Sequence, residues 1–139
     1  MPRRFDRGIA LLEALVAIAL LAIGLLGAIG LQARSYSALA DTGMRAEATI
    51  AADKLLGVMA ADQANLAAYA LANGGTVGVR LKPWYDETRA HIPGAGIVVA
   101  VAPVAGTGRT QVTVTISWMR KANTAANQHS IVSYIANAK

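Results

Sequence analysis

Cysteine is absent from all 139 residues, so no disulfide can brace the fold and no thiol can act as nucleophile or metal ligand. Proline is missing between Pro2 and Pro83, so no ring forces a helix to stop anywhere in that stretch. Charge is scarce too: 15% of residues are Asp, Glu, Lys or Arg while 55% are hydrophobic, a membrane-associated composition and not a disordered one. There are two histidines, His91 and His129, and neither has companion ligands at metal spacing. No G-x-S-x-G and no phosphate-binding glycine loop occurs. Asp86-Glu87 is a carboxylate pair, but adjacent residues seldom converge on one substrate, and it reads as a solvated turn. The chain therefore offers no catalytic constellation, cofactor site or metal site.

What is present is one long apolar run. Ile9 to Leu31 spans 23 residues, and Glu13 is the only ionisable side chain among them. As a helix the run is roughly 34 Å long, enough to cross a bilayer. A carboxylate deep in such a span costs about 2.5–3.5 kcal/mol. Thirteen of the residues are Leu, Ile or Val, and together they contribute roughly −4 to −8 kcal/mol, so the span tolerates one acid. Arg3, Arg4 and Arg7 precede it, which keeps the amino terminus cytoplasmic and exports the remainder. A cleaved secretory signal is the rival reading, since Ala38-Leu39-Ala40 before Asp41 has the A-x-A form. Secretory apolar cores run about 7–15 residues, however, and have no use for an acid at Glu13.

Arg7-Gly8-Ile9-Ala10-Leu11-Leu12-Glu13 resembles the processing and assembly signal of type IV pilins and pseudopilins. The resemblance implies a leader, Met1–Gly8, removed by a prepilin peptidase between Gly8 and Ile9. Ile9 becomes the N-methylated terminus, and Glu13 pairs with the amino group of a mature terminus, its own or a neighbour's. Ile9 and Ala10 depart from the commonest pattern, which has Phe and then Ser or Thr. Further on, Leu12-Glu13-Ala14-Leu15-Val16-Ala17, Ile23-Gly24-Leu25-Leu26-Gly27 and Gly30-Leu31-Gln32-Ala33 are similar to the minor-pilin family of type IV pilus modification proteins, PilV. Ile92-Pro93-Gly94-Ala95-Gly96 and the Val112-Thr113-Val114 run ending at Trp118 resemble its carboxyl half. This implies a minor pilin with no cofactor, held in the inner membrane and then displayed on the pilus. Its implied partners are the prepilin peptidase, other minor pilins, the major pilin and the inner-membrane assembly platform. A minor pseudopilin of type II secretion is the alternative within the class, and an adhesin or DNA-binding pilin the alternative outside it.

Beyond Gln32 the periodicity predicts that the helix continues. Met44, Ala48, Ala51, Leu55 and Met59 share a narrow arc, opposite Arg45, Thr49 and Asp53, as far as about residue 62. Gly24, Gly27 and Gly30 recur every third residue, which suits close helix packing or softening of the span. Asn73-Gly74-Gly75 marks a turn, and Thr76–Gly96 reads as an irregular loop carrying Trp84 and Tyr85, a possible surface binding pair. Val112, Val114, Ile116 and Trp118 alternate with Gln111, Thr113, Thr115 and Ser117, a strand with one apolar face. Ile97–Ala102 is a strand before it, joined through Gly106-Thr107-Gly108, and Ile131–Ile135 is a weaker third. The expected fold class is α+β, pilin-like: a long amino-terminal helix whose second half packs on a small antiparallel sheet. The expected division is leader 1–8, transmembrane half-helix 9–31 and an exported globular domain 32–139. The formal net charge of +5 includes three leader arginines, and the rest of the basic residues are scattered, with Arg120-Lys121 the longest run. A solvated surface explains them better than a nucleic-acid patch.

Overall fold

The computed structural model describes residues 6–119 and 125–136, with side chains from Ile9 onward. Met1–Phe5 of the expected leader and the Arg120-Lys121 pair lie outside the described residues. Two compact units are present, Met1–Asp41 and Thr42–Lys139. One helix, α1, Asp6–Ala61, supplies most of the first unit and the opening of the second.

In the first unit every residue from Ile9 to Ala40 is exposed, because an all-apolar helix has nothing of its own chain to bury against. Gly24, Gly27 and Gly30 do not interrupt it. In the second unit the same helix becomes amphipathic. Ala48, Ala52, Leu55 and Met59 are buried, with Met44, Ala51 and Leu56 packed beside them. α1 ends where Asp62 leaves helical geometry at φ −119° and ψ 50°. A 3₁₀ segment, Gln63–Tyr69, follows and buries Leu66 and Tyr69, three residues apart on one face.

The stretch expected to be an irregular loop contains a helix instead: α2, Lys82–His91. Pro83 accounts for the difference. Proline breaks helices from within but suits the first turn, where its missing N–H would have had no partner. Trp84 and Thr88, four residues apart, form the buried face of α2. Asp86 and Glu87 are thus helical and not turn residues, and His91 closes the helix.

The sheet is antiparallel with order β1-β2-β3: Gly96–Val104, Arg109–Trp118 and Asn127–Ala136. Gly106 and Gly108, both at positive φ (75° and 62°), turn the β1–β2 hairpin where side chains would be strained. On β2 the alternation is complete: Thr110, Val112, Val114, Ile116 and Trp118 are buried and every residue between them is more exposed. The third strand is ten residues long, twice the expected five. Its inner face holds Asn127, His129 and Ser133 as well as Ile131 and Ile135, and those polar residues hide its period of two. The inner faces of the sheet and the buried arc of α1 share one core with Trp84, Leu81 and Ile92, the helix-on-sheet α+β arrangement.

Candidate functional site: the amino-terminal segment

Gly8 and Ile9 lie in the first turns of α1, which begins at Asp6. The first four N–H groups of a helix have no intrahelical acceptor. Opening residues 6–9 into an extended form therefore breaks few backbone hydrogen bonds. Glu13 sits one turn beyond Ile9, about 6 Å along the axis and on the same face. Its side chain is exposed, and among the described residues it has no hydrogen bond or ion pair. It is surrounded along the helix by thirteen Leu, Ile and Val residues, each 51–69% exposed. α1 is long and apolar enough to cross a membrane, and none of its apolar window is buried.

Residues 3–29 match the model of a family described as the prokaryotic N-terminal methylation motif. The chain carries a type IV pilin-like methylation motif. No curated protein and no solved structure matches the chain. The motif runs from Arg3 through Gly8, Ile9 and Glu13 to Ile29, and covers none of the globular unit. It supports a type IV pilin-like or pseudopilin protein, a structural and not a catalytic class, with a membrane-anchored amino terminus.

The other candidate residues belong to the globular unit, and the structure disperses them. Trp84 is only 5% exposed and donates its indole N–H to Ala51 O (2.8 Å), so it joins α2 to α1 and forms no surface platform. Tyr85 is half-buried, with the Arg89 guanidinium 5.6 Å from its ring centre and bonded to its hydroxyl at 3.1 Å. Arg80 and Lys82, the cations that a DNA-binding face would use, are each held by a carboxylate: Arg80 by Asp62 and Lys82 by Asp86, both at 2.8 Å. Glu87 pairs with Lys54 at 2.6 Å, and that hydrogen bond, then the lysine charge, holds its carboxyl below the usual range. His129 meets Thr49 Oγ1 at 3.2 Å, and the hydroxyl also donates to Arg45 O, so His129 Nε2–H is the donor between them. Among the described residues no three His, Asp or Glu side chains converge on a common point.

Asp62 is the polar centre that the sequence did not reveal. Its Oδ1 accepts from Asn65 Nδ2 (2.6 Å), and its Oδ2 accepts from Tyr69 Oη (2.9 Å) and Arg80 Nη1 (2.8 Å). The Asn65 and Tyr69 bonds, then the Arg80 charge, hold its carboxyl below the ordinary range despite partial burial. Burial, then the bond to Asp62, pushes the Tyr69 phenol up. An acidic residue just past a long helix was the available clue. Its partners, up to eighteen residues away, come together only in the folded chain.

Between α1 and α2 an open groove of about 150 Å³ is lined by Ile50, Ala51, Trp84 and Ile92 and rimmed by Glu47, Lys54, Glu87 and His91. Sites that enclose drug-sized ligands run about 300–1,000 Å³, so this groove has room for one side chain of a partner at most.

Proposed function

We infer that the protein is a minor type IV pilin. Prepilin peptidase removes Met1–Gly8, Ile9 becomes the methylated terminus, and the chain stays in the inner membrane with its amino terminus cytoplasmic. It then joins other minor pilins and the major pilin through the assembly platform, takes part in pilus initiation and becomes part of the pilus. One observation carries this reading: the methylation motif overlaps a wholly exposed apolar stretch of helix, Ile9–Leu31, whose single acid, Glu13, is one turn from the residue that becomes the new terminus.

The chemistry follows from the dielectric. A carboxylate and an ammonium each lose hydration in hydrocarbon, and their attraction grows as the surroundings become apolar. Pairing of Glu13 with a terminal amine offsets both losses and, between subunits, selects one axial register. The binding-module alternative loses its aromatic support, because Trp84 is buried, while Arg80 and Lys82 each pair with a carboxylate of the same unit.

Amino-terminal sequencing of the mature protein tests the reading. The expected first residue is Ile9. A terminus at Asp41 would establish the secretory alternative. Recovery of the mature chain from sheared pili, against recovery with secretion components, separates the minor pilin from a pseudopilin.

A further inference from the structure

α1 and α2 face each other across the groove of the globular unit, and each contributes one helical stripe. Glu47, Ile50, Ala51 and Lys54 come from α1, and Trp84, Glu87, Thr88 and His91 from α2, both sets spaced i, i+3, i+4, i+7. Trp84 Nε1 to Ala51 O at 2.8 Å and Lys54 Nζ to Glu87 at 2.6 Å hold the two helices together. Three groups in the groove are left over from this packing. Ile50 is 62% exposed on its wall. Thr88 is only 3% exposed and lines the groove, yet its hydroxyl bonds to no described residue. Glu47 has no hydrogen bond or ion pair among the described residues. Lys54 reaches both oxygens of Glu87, and His91 acts on the same carboxylate. The basic groups of the rim therefore face Glu87, and Glu47 is the charge without a counterpart.

We propose that this groove takes up the side chain of an arginine presented by a different protein. An arginine has an apolar stem and a planar cationic head that carries N–H donors and no acceptor. Laid in the groove, the stem covers Ile50, and the head donates to the Glu47 carboxylate and to Thr88 Oγ1. A wholly apolar side chain would bury the Thr88 hydroxyl unsatisfied and strip water from Glu47, both of which cost free energy. An anion would meet two carboxylates, with Lys54 already engaged by one of them. Lysine carries the charge, but arginine is more weakly hydrated and packs on aromatic rings, and Trp84 lines the groove. The space of about 150 Å³ admits one such side chain. A second copy is opposed by charge: the chain has a formal net charge of +5 and stays net positive without Met1–Gly8, so identical chains repel. The proposal goes beyond the pilin reading and does not depend on it.

The test uses the full-length chain in non-ionic micelles, with N-acetylarginine amide as the probe and N-acetylcitrulline amide, its uncharged analogue, as the control. Backbone and indole N–H shifts of Ile50, Trp84 and Thr88 are followed by NMR as the probe is added, with Tyr134, exposed on β3, as the reference. The expected result is a saturable shift at the groove with a Kd of about 1–10 mM and none at Tyr134. The citrulline analogue should bind at least about tenfold more weakly, as should the arginine probe to Glu47→Gln. Thr88→Val keeps the shape, loses the hydroxyl and should weaken the probe by about threefold. In cells, a photo-cross-linking amino acid at Asp53, exposed on α1 one turn from Ile50, should form an adduct. Mass spectrometry should map it to an arginine-containing segment of another protein, and Glu47→Gln should abolish it. Equal binding of the two analogues, unchanged binding by Glu47→Gln, or an adduct between two copies alone overturns the proposal. The comparison of analogues needs no variant, so it decides the matter even where a substitution lowers the Tm. Cleavage after Gly8 enters neither readout, so the groove and the pilin reading fail separately.

Discussion

The two ends of α1 are the same secondary structure put to opposite uses. From Ile9 to Leu31 thirteen large aliphatic residues all stand exposed, distributed right round the helix. From Ala48 to Met59 four buried apolar residues lie on one arc, and two of those four are alanines. The first end has more hydrophobic surface and no protein core, and the second has less surface and all of the packing. Hydrophobicity alone does not produce a core; a one-sided pattern with a partner sheet does. An all-round pattern requires lipid or neighbouring subunits in place of a sheet.

Glu13→Leu should break this contrast most sharply. Removing the acid leaves insertion at least as favourable and cleavage after Gly8 intact, but strands an ammonium in hydrocarbon at the subunit contact. A cost of about 2.5–3.5 kcal/mol lowers recovery in sheared pili by about a hundredfold, with the membrane fraction unchanged. Normal recovery would make Glu13 an interfacial acid with no part in assembly. Trp118→Ala comes next. Trp118 is 3% exposed at the end of β2, and its truncation should destabilise the globular unit by about 3–5 kcal/mol. Urea unfolding of the full chain in micelles, followed by the fluorescence of Trp84, measures this. Leu25→Ala should leave the same transition within about 0.5 kcal/mol. A loss at Trp118 as small as that at Leu25 would put Trp118 on the surface.

The two tryptophans sharpen the comparison inside the core. Trp84 donates to Ala51 O, whereas the buried Trp118 Nε1 has no partner among the described residues. Trp84→Phe should therefore cost about 1 kcal/mol more than Trp118→Phe, since the latter also removes an unsatisfied donor. Equal losses would show that the bond to α1 contributes nothing. The smallest expected effect is electrostatic and confined to the globular unit. The carboxyls of Asp62 and Glu87 are both held below their ordinary range. As pH falls the unfolded chain takes up these protons first, so the stabilisation is complete above the ordinary carboxylate pKa of about 4 and is lost below it. Asp62→Asn should flatten the acid limb of stability against pH, and an unchanged limb would mean that Asp62 contributes nothing there.

The first end of α1 was fully legible from residue order. The apolar run Ile9–Leu31, its single acid and the methylation motif are local facts, and the absence of proline up to Pro83 let the helix run on to Ala61. The strand at Val112–Trp118 was legible for a similar reason, since a period of two with one apolar face fits a half-buried strand and does not fit a helix. β3 was half legible, because Asn127, His129 and Ser133 occupy inner positions at an uncovered edge, where partial exposure tolerates polar side chains. α2 was missed because Pro83 reads as a breaker until its place in the first turn is known. Trp84 was misjudged because an aromatic beside a tyrosine and two carboxylates gives no indication of which face it occupies.

Residue order by itself determined the methylation motif, the apolar span with its acid, and the α+β pattern, because each depends on neighbours within a turn or two of chain. Only the tertiary structure decided which tryptophan joins α2 to α1, which carboxylates pair with Arg80 and Lys82, and which strand edge is left half-covered. Those outcomes depend on side chains that are distant in sequence and meet only when the sheet closes on the second half of α1.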